Sequence, residues 1–197
     1  MTFRIEQKLL IDTNQIINFK KYLDGKKIKK IYHPRKVKSL YFDNHNFEMY
    51  NDSIEGLIPR KKIRIRNYPE TKNLNHYLEI KISSVEGRFK TSKIINNDYL
   101  NNLKTKGIFD VQYGLCKPCL YVIYDREYFQ KDDVRISIDI NINYMSTHKK
   151  ILRRSLGSIV EIKTNISKDL DKLTSDFPFQ KTRFSKYCNA VENVITL

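Results

Sequence analysis

The 197 residues contain no tryptophan, three cysteines, six glycines and five prolines. So little glycine and proline, with no internal repeat and no low-complexity tract, excludes a linker-rich array or a biased tail. No apolar run approaches the roughly 20 residues that a membrane-crossing helix needs, so no membrane span is predicted. The opening MTFRIEQKLLID is too charged for a signal-peptide core, which predicts a cytoplasmic protein. Cys116-Lys-Pro-Cys119 has the spacing of half a zinc site. Cys188 and four scattered histidines offer no second half, so these thiols are read as incidental and reduced.

What is present is charge. Thirty-seven Lys and Arg face 22 Asp and Glu, for a formal net charge of +15. Such an excess concentrates anions near the surface and points to a polyanionic partner. Hydrophobic residues make up 40%, enough for one ordinary folded domain over residues 1–197.

Period two dominates the chain, over 2–11, 36–43, 60–68, 76–83, 86–95, 119–129, 134–144 and 158–164. Helical patterns fall on 14–24, capped by Thr13, and on 97–106, 168–176 and 185–195. Strands mostly in succession predict an α+β fold with an antiparallel sheet or barrel.

Alternate residues in a strand point to opposite faces, and the faces here separate by charge. Arg4, Glu6 and Lys8 oppose Ile5. Arg60, Lys62, Arg64 and Arg66 oppose Ile63 and Ile65. Glu79 and Lys81 oppose Leu78, Ile80 and Ile82. Arg135, Ser137 and Asp139 oppose Ile136, Ile138 and Ile140, and Glu161 and Lys163 oppose Val160 and Ile162. One such strand is an ordinary half-exposed strand. Five together predict a closed antiparallel β-barrel tunnel of about eight strands, ionic faces inward and helices covering the aliphatic outside. Cations outnumber carboxylates on those faces, and an anion would complete them.

The strings RIEQKLLI (4–11), SLYFDN (39–44), KKIRIRNY (61–68), YLEIKI (77–82), YDREYF (124–129), RISIDINI (135–142), IVEIKT (159–164) and FSKY (184–187) stand in the order found in the VTC-type polyphosphate polymerase domain. The sequence resembles that family, within the triphosphate tunnel metalloenzyme (CYTH-like) superfamily, from Arg4 to Tyr187. The resemblance implies a barrel lined by Arg, Lys and Glu. It also implies that Lys8, Arg64, Arg66, Lys81, Arg126 and Lys186 handle the reacting phosphates, with Lys90, Tyr124, Lys163 and Ser185 as further contacts. Lys62 and Arg135 share the ionic faces and join them. Glu161 matches the carboxylate that holds Mn²⁺ or Mg²⁺. Glu6 and Glu79, like Asp139, are either further metal ligands or orienting partners for neighbouring cations. Hard carboxylate oxygens suit those ions. Hydrolases of the superfamily open on Glu-x-Glu-x-Lys, whereas Arg4 stands first here, which favours the polymerase branch.

The activity so implied is transfer of the ATP γ-phosphate to inorganic polyphosphate, with ATP and polyphosphate as partners and no nucleic acid. Two rivals are a metal-dependent tripolyphosphate or nucleoside triphosphate hydrolase of the same fold, and a non-catalytic polyanion binder. The latter usually interleaves cations with exposed aromatics. Tyr41, Phe42 and Tyr121 instead occupy apolar strand positions and are read as core.

Overall fold

The computed structural model describes residues 4–165 and 179–195. The chain forms two compact units. The first takes residues 4–35, 124–142, 154–165 and 179–184, the second residues 36–123, 143–153 and 185–195. The strands are β1 (Arg4–Asp12), β2 (Lys29–Asp43), β3 (Arg60–Asn67), β4 (His76–Ser84), β5 (Gly87–Ile95), β6 (Ile108–Asp110), β7 (Gly114–Lys131), β8 (Val134–Ser146), β9 (Leu152–Arg154), β10 (Gly157–Asn165) and β11 (Gln180–Lys181). The helices are α1 (Ile16–Gly25), α2 (Glu48–Glu55), α3 (Asn97–Lys106) and α4 (Lys186–Val194).

The eight strands expected from periodicity are all present, but the closed eight-stranded barrel is not. The strand order is β11-β1-β10-β8-β7-β2-β3-β4-β5, with β6 on β7 and β9 on β8. That is an eleven-stranded sheet in which no ladder joins β11 to β5 among the described residues. Three strands of two or three residues, β6, β9 and β11, are too short to show a period. The two ends of the order resist further pairing, one being a two-residue strand and the other carrying Arg88, Lys90 and Lys93. The helix expected over 168–176 lies outside the described residues.

In the first unit, β1 pairs with β10 and β10 with β8 in antiparallel register, aligning Leu9, Val160 and Ile138 across three strands, with Ile162 beside Ile136. This face packs with Ile16, Phe19 and Leu23 of α1 into one buried cluster. Burying each such side chain contributes about 1.5–3 kcal/mol. A 3₁₀ turn over Thr13–Gln15 precedes α1, so Gln15, not Thr13, flanks the helix, and without a capping side-chain bond.

In the second unit, β2, β3, β4 and β5 form a continuous antiparallel ladder. Leu40 and Ile65 share a face, and with Leu100 of α3 they line a small cavity. Helix α2 was not anticipated. Its sequence EMYNDSIE buries only Met49, so it carries almost no apolar stripe. It is fixed instead by Asp43, which accepts from the Met49 and Tyr50 amides at 3.1 Å each and from the Tyr187 hydroxyl. Burial pushes the Asp43 carboxyl upward despite those bonds.

Candidate functional site

The ladder of the second unit puts a block of cations on one face. Directly opposed residues share a face, so the register Lys62–Lys81–Lys90 lays three lysines side by side across β3, β4 and β5. The adjacent row is Tyr41–Arg64–Glu79–Ser92, and beyond it lies Ser39–Arg66–Tyr77. Arg60, Ser83 and Arg88 form the row on the other side. Seven cations thus flank one carboxylate in these rows, and like charges directly opposed repel.

Glu79 organises the block. It is 4% exposed. Its Oε2 accepts from Arg64 Nε at 2.7 Å and lies 2.5 Å from the Arg64 terminal nitrogen, with Arg66 at 3.8 Å. Its Oε1 takes Lys90 Nζ at 2.5 Å. Burial pushes its carboxyl upward, but Arg64, Arg66 and Lys90 outweigh burial and bring it down to about 2. Arg64 also donates to the Tyr41 hydroxyl at 3.0 Å. The Tyr41 ring stacks on that of Tyr187, centroids 5.1 Å apart. Tyr41 therefore belongs to the ionic face and supports its arginine, although the apolar strings around it read as core.

Helix α4 begins beside this face. Ser185 is its N-cap, accepting from the Cys188 amide at 3.3 Å and from Lys62 Nζ at 2.9 Å. Lys186 follows as the first helical residue, half-buried. Lys81 and Lys90 are exposed. A helix start with a basic sheet face beside it suits anionic oxygens.

The first unit holds an ionic cluster of its own. Arg126 grips Asp139 with a two-point fork, Nε to Oδ1 at 2.5 Å and Nη2 to Oδ2 at 2.7 Å. It also lies 5.3 Å from the centre of the buried Tyr124 ring. Burial works against the guanidinium charge, but Asp139 more than compensates and keeps it protonated. Glu161 lies 3.7 Å from Arg126 and 2.7 Å from Lys163. Burial pushes its carboxyl up, yet Lys163, Arg126 and Lys8 hold it far below the usual glutamate range. Glu6 bridges Lys8 at 3.2 Å and Lys163 at 3.8 Å, and Lys8 also donates to the Phe184 carbonyl. Arg135, exposed, stands opposite Lys163 in the β8–β10 ladder.

Among the described residues no three His, Cys, Asp or Glu side chains converge on one point. Glu79 and Asp139 spend their oxygens on arginine and lysine, an orienting arrangement. Glu161 and Glu6 likewise have their oxygens beside Lys163, Arg126 and Lys8. Hard carboxylate oxygens of this kind suit an ion that arrives coordinated by phosphate, as Mg²⁺ commonly does, rather than one in an all-protein cage. The three cysteines are buried free thiols, and burial pushes Cys116 up to about 12.

This architecture is shared. The PH1819 protein of Pyrococcus horikoshii OT3 superimposes with a TM-score of 0.65 at 15% identity, covering 96% of this chain and 99% of that one. HpAC1 from Hippeastrum, described as having a dominant triphosphatase activity, gives 0.61 at 13% identity, covering 98% and 97%. At such identities the likeness establishes a shared fold. No curated protein sequence matches. The VTC domain family model matches residues 3–195, and the chain belongs to that family. Among the described residues no helix is long and apolar enough to cross a membrane.

Proposed function

We propose that the protein is a polyphosphate polymerase that moves the γ-phosphate of ATP onto a growing inorganic polyphosphate chain. The observation that carries this reading is the cation block of the second unit, in which Arg60, Lys62, Arg64, Arg66, Lys81, Arg88 and Lys90 stand in adjacent rows around the one carboxylate Glu79. Phosphoryl transfer asks a protein chiefly for positioning and charge neutralisation. Arg64 and Arg66 supply planar forks for phosphate oxygens, while Lys62, Lys81, Lys90 and Lys186 supply movable point charges, with Ser185 at the helix start. Glu79 orients the arginines. In the first unit Arg126, Lys8, Lys163, Arg135 and the ring of Tyr124 form the other phosphate-binding set. A Mn²⁺ or Mg²⁺ ion held by Glu161 and Glu6 would neutralise charge on non-bridging phosphate oxygens.

In the reaction a terminal oxygen of the acceptor chain forms a bond to Pγ while the bond from Pγ to the bridging oxygen breaks, and ADP leaves. An acceptor phosphate needs no protein base. This fits the depressed Glu79 and Glu161, because activating water calls for a base that titrates near the working pH.

The deciding experiment is ³¹P NMR of the purified protein with ATP and Mn²⁺. Mid-chain phosphate appearing with stoichiometric ADP supports the polymerase. Orthophosphate or pyrophosphate with no mid-chain signal refutes it and assigns a hydrolase.

A further inference from the structure

Ser39 is 1% exposed, and its hydroxyl has no hydrogen-bond partner. A buried hydroxyl left unpaired is unfavourable, and native interiors seldom retain one. Its place in the ladder gives it a use. Ser39 lies directly opposite Arg66, and Tyr41, two residues along the same face, lies opposite Arg64. The two arginines are thus matched with hydroxyl residues of β2. The Tyr41 hydroxyl already accepts from Arg64, and Glu79 holds Arg64 at 2.5 Å but Arg66 only at 3.8 Å.

We infer that Ser39 is a positioning residue for Arg66, its hydroxyl accepting a guanidinium N–H when Arg66 turns onto a phosphate. The inference rests on the reading of Arg66 as a phosphate ligand. A triphosphate draws Arg66 from the distant carboxylate, and a rotated guanidinium needs a fixed acceptor on its far side to hold its plane. Ser39 supplies one from a rigid central strand, as Tyr41 does for Arg64. The bond belongs to the liganded state, so its loss weakens binding and leaves the ligand-free fold intact.

The test uses the full chain, with tripolyphosphate as the probe, thermal melts, and calorimetric affinity. Ser39→Ala is expected to melt at or above wild type without ligand, since it removes an unpaired polar atom. It is expected to bind tripolyphosphate about tenfold more weakly, the value of one charge-assisted hydrogen bond. Ser39→Thr, which keeps the hydroxyl, restores affinity. In an Arg66→Ala background, Ser39→Ala has no further effect, because the serine acts only through that arginine. Equal affinities of Ser39→Ala and wild type, or a lowered ligand-free melting temperature, would overturn the inference. Full additivity with Arg66→Ala would overturn it too, by showing direct contact with phosphate. If wild type itself fails to bind tripolyphosphate, the reading of Arg66 falls first and this inference with it.

Discussion

Replacing Glu79 with glutamine keeps the size of the side chain and removes the one negative charge inside the cation block. The carboxyl is lowered from 4.5 to about 2 in the folded protein, which corresponds to about 3 kcal/mol favouring its charged form. Lys90, whose side chain is 45% exposed, is screened by solvent, so its share counts for little. The buried contacts with Arg64 and Arg66 carry most of the effect. At pH 7 Glu79→Gln is expected to lose about 2–3 kcal/mol. For a chain of this size that lowers the melting temperature by about 5–10 °C. The sign of the pH dependence follows from the direction of the shift. A depressed carboxyl stabilises the fold fully above its unfolded value and loses that contribution as pH falls toward the folded one. The gap between wild type and variant therefore closes between about pH 4.5 and pH 2. Tripolyphosphate at pH 7 is expected to raise the melting temperature of the variant more than that of wild type, because the ligand replaces the missing charge. Circular-dichroism melts across that pH range decide the matter. Equal melting temperatures at pH 7, or a gap unchanged down to pH 2, would refute Glu79 as the anchor of the block.

Arg64→Ala strands a buried carboxylate and is expected to destabilise the fold by about 3 kcal/mol or more while abolishing turnover, read by urea melts and ADP release. Lys81→Ala, exposed between Lys62 and Lys90, is expected to keep or raise stability without ligand and to weaken polyphosphate binding by calorimetry. Glu161→Gln is expected to lose Mn²⁺ affinity in the presence of a non-hydrolysable ATP analogue while largely keeping triphosphate binding. Unchanged metal affinity in that titration would move the ion elsewhere. Gly107→Ala is expected to lower the melting temperature, because φ there is +87° and a Cβ would sit 2.4 Å from the Cys116 carbonyl oxygen.

Period two carried most of the fold. Charges alternating with isoleucines in RKKIRIR and YLEIKI placed Arg64, Arg66, Glu79 and Lys81 on one face before any register was known, and the ladder opposes them in that way. Closure was not legible, because strand order depends on pairings remote in sequence and on edges that periodicity does not distinguish from central strands. Helix α2 escaped notice for a different reason. Its stability comes from Asp43 and Tyr187, a contact made from outside the helix, whereas propensity and amphipathic pattern report only on the segment itself. Tyr41 is buried, as an aromatic at an apolar strand position predicts, but only the cross-strand neighbour Arg64 shows that its hydroxyl faces charge. Ser39 carried no signal beyond its parity with Tyr41.

Lys90 stands on β5, the last strand in the order, where Arg88 to Ile94 are all exposed. A terminal strand is held by one ladder only, so it opens at a lower free energy than the strands paired on both sides. Its far end is pinned, since Asn96 caps α3 by accepting from the Tyr99 amide at 2.9 Å, while at the near end the Ser84 hydroxyl donates to the Gly87 carbonyl at the longer distance of 3.4 Å. A chain of phosphates lying across Lys62, Lys81 and Lys90 would tie that loose strand to the two beneath it. Occupancy would then register as slowed amide exchange confined to the start of β5, a local clasp tightening while the rest of the sheet exchanges as before.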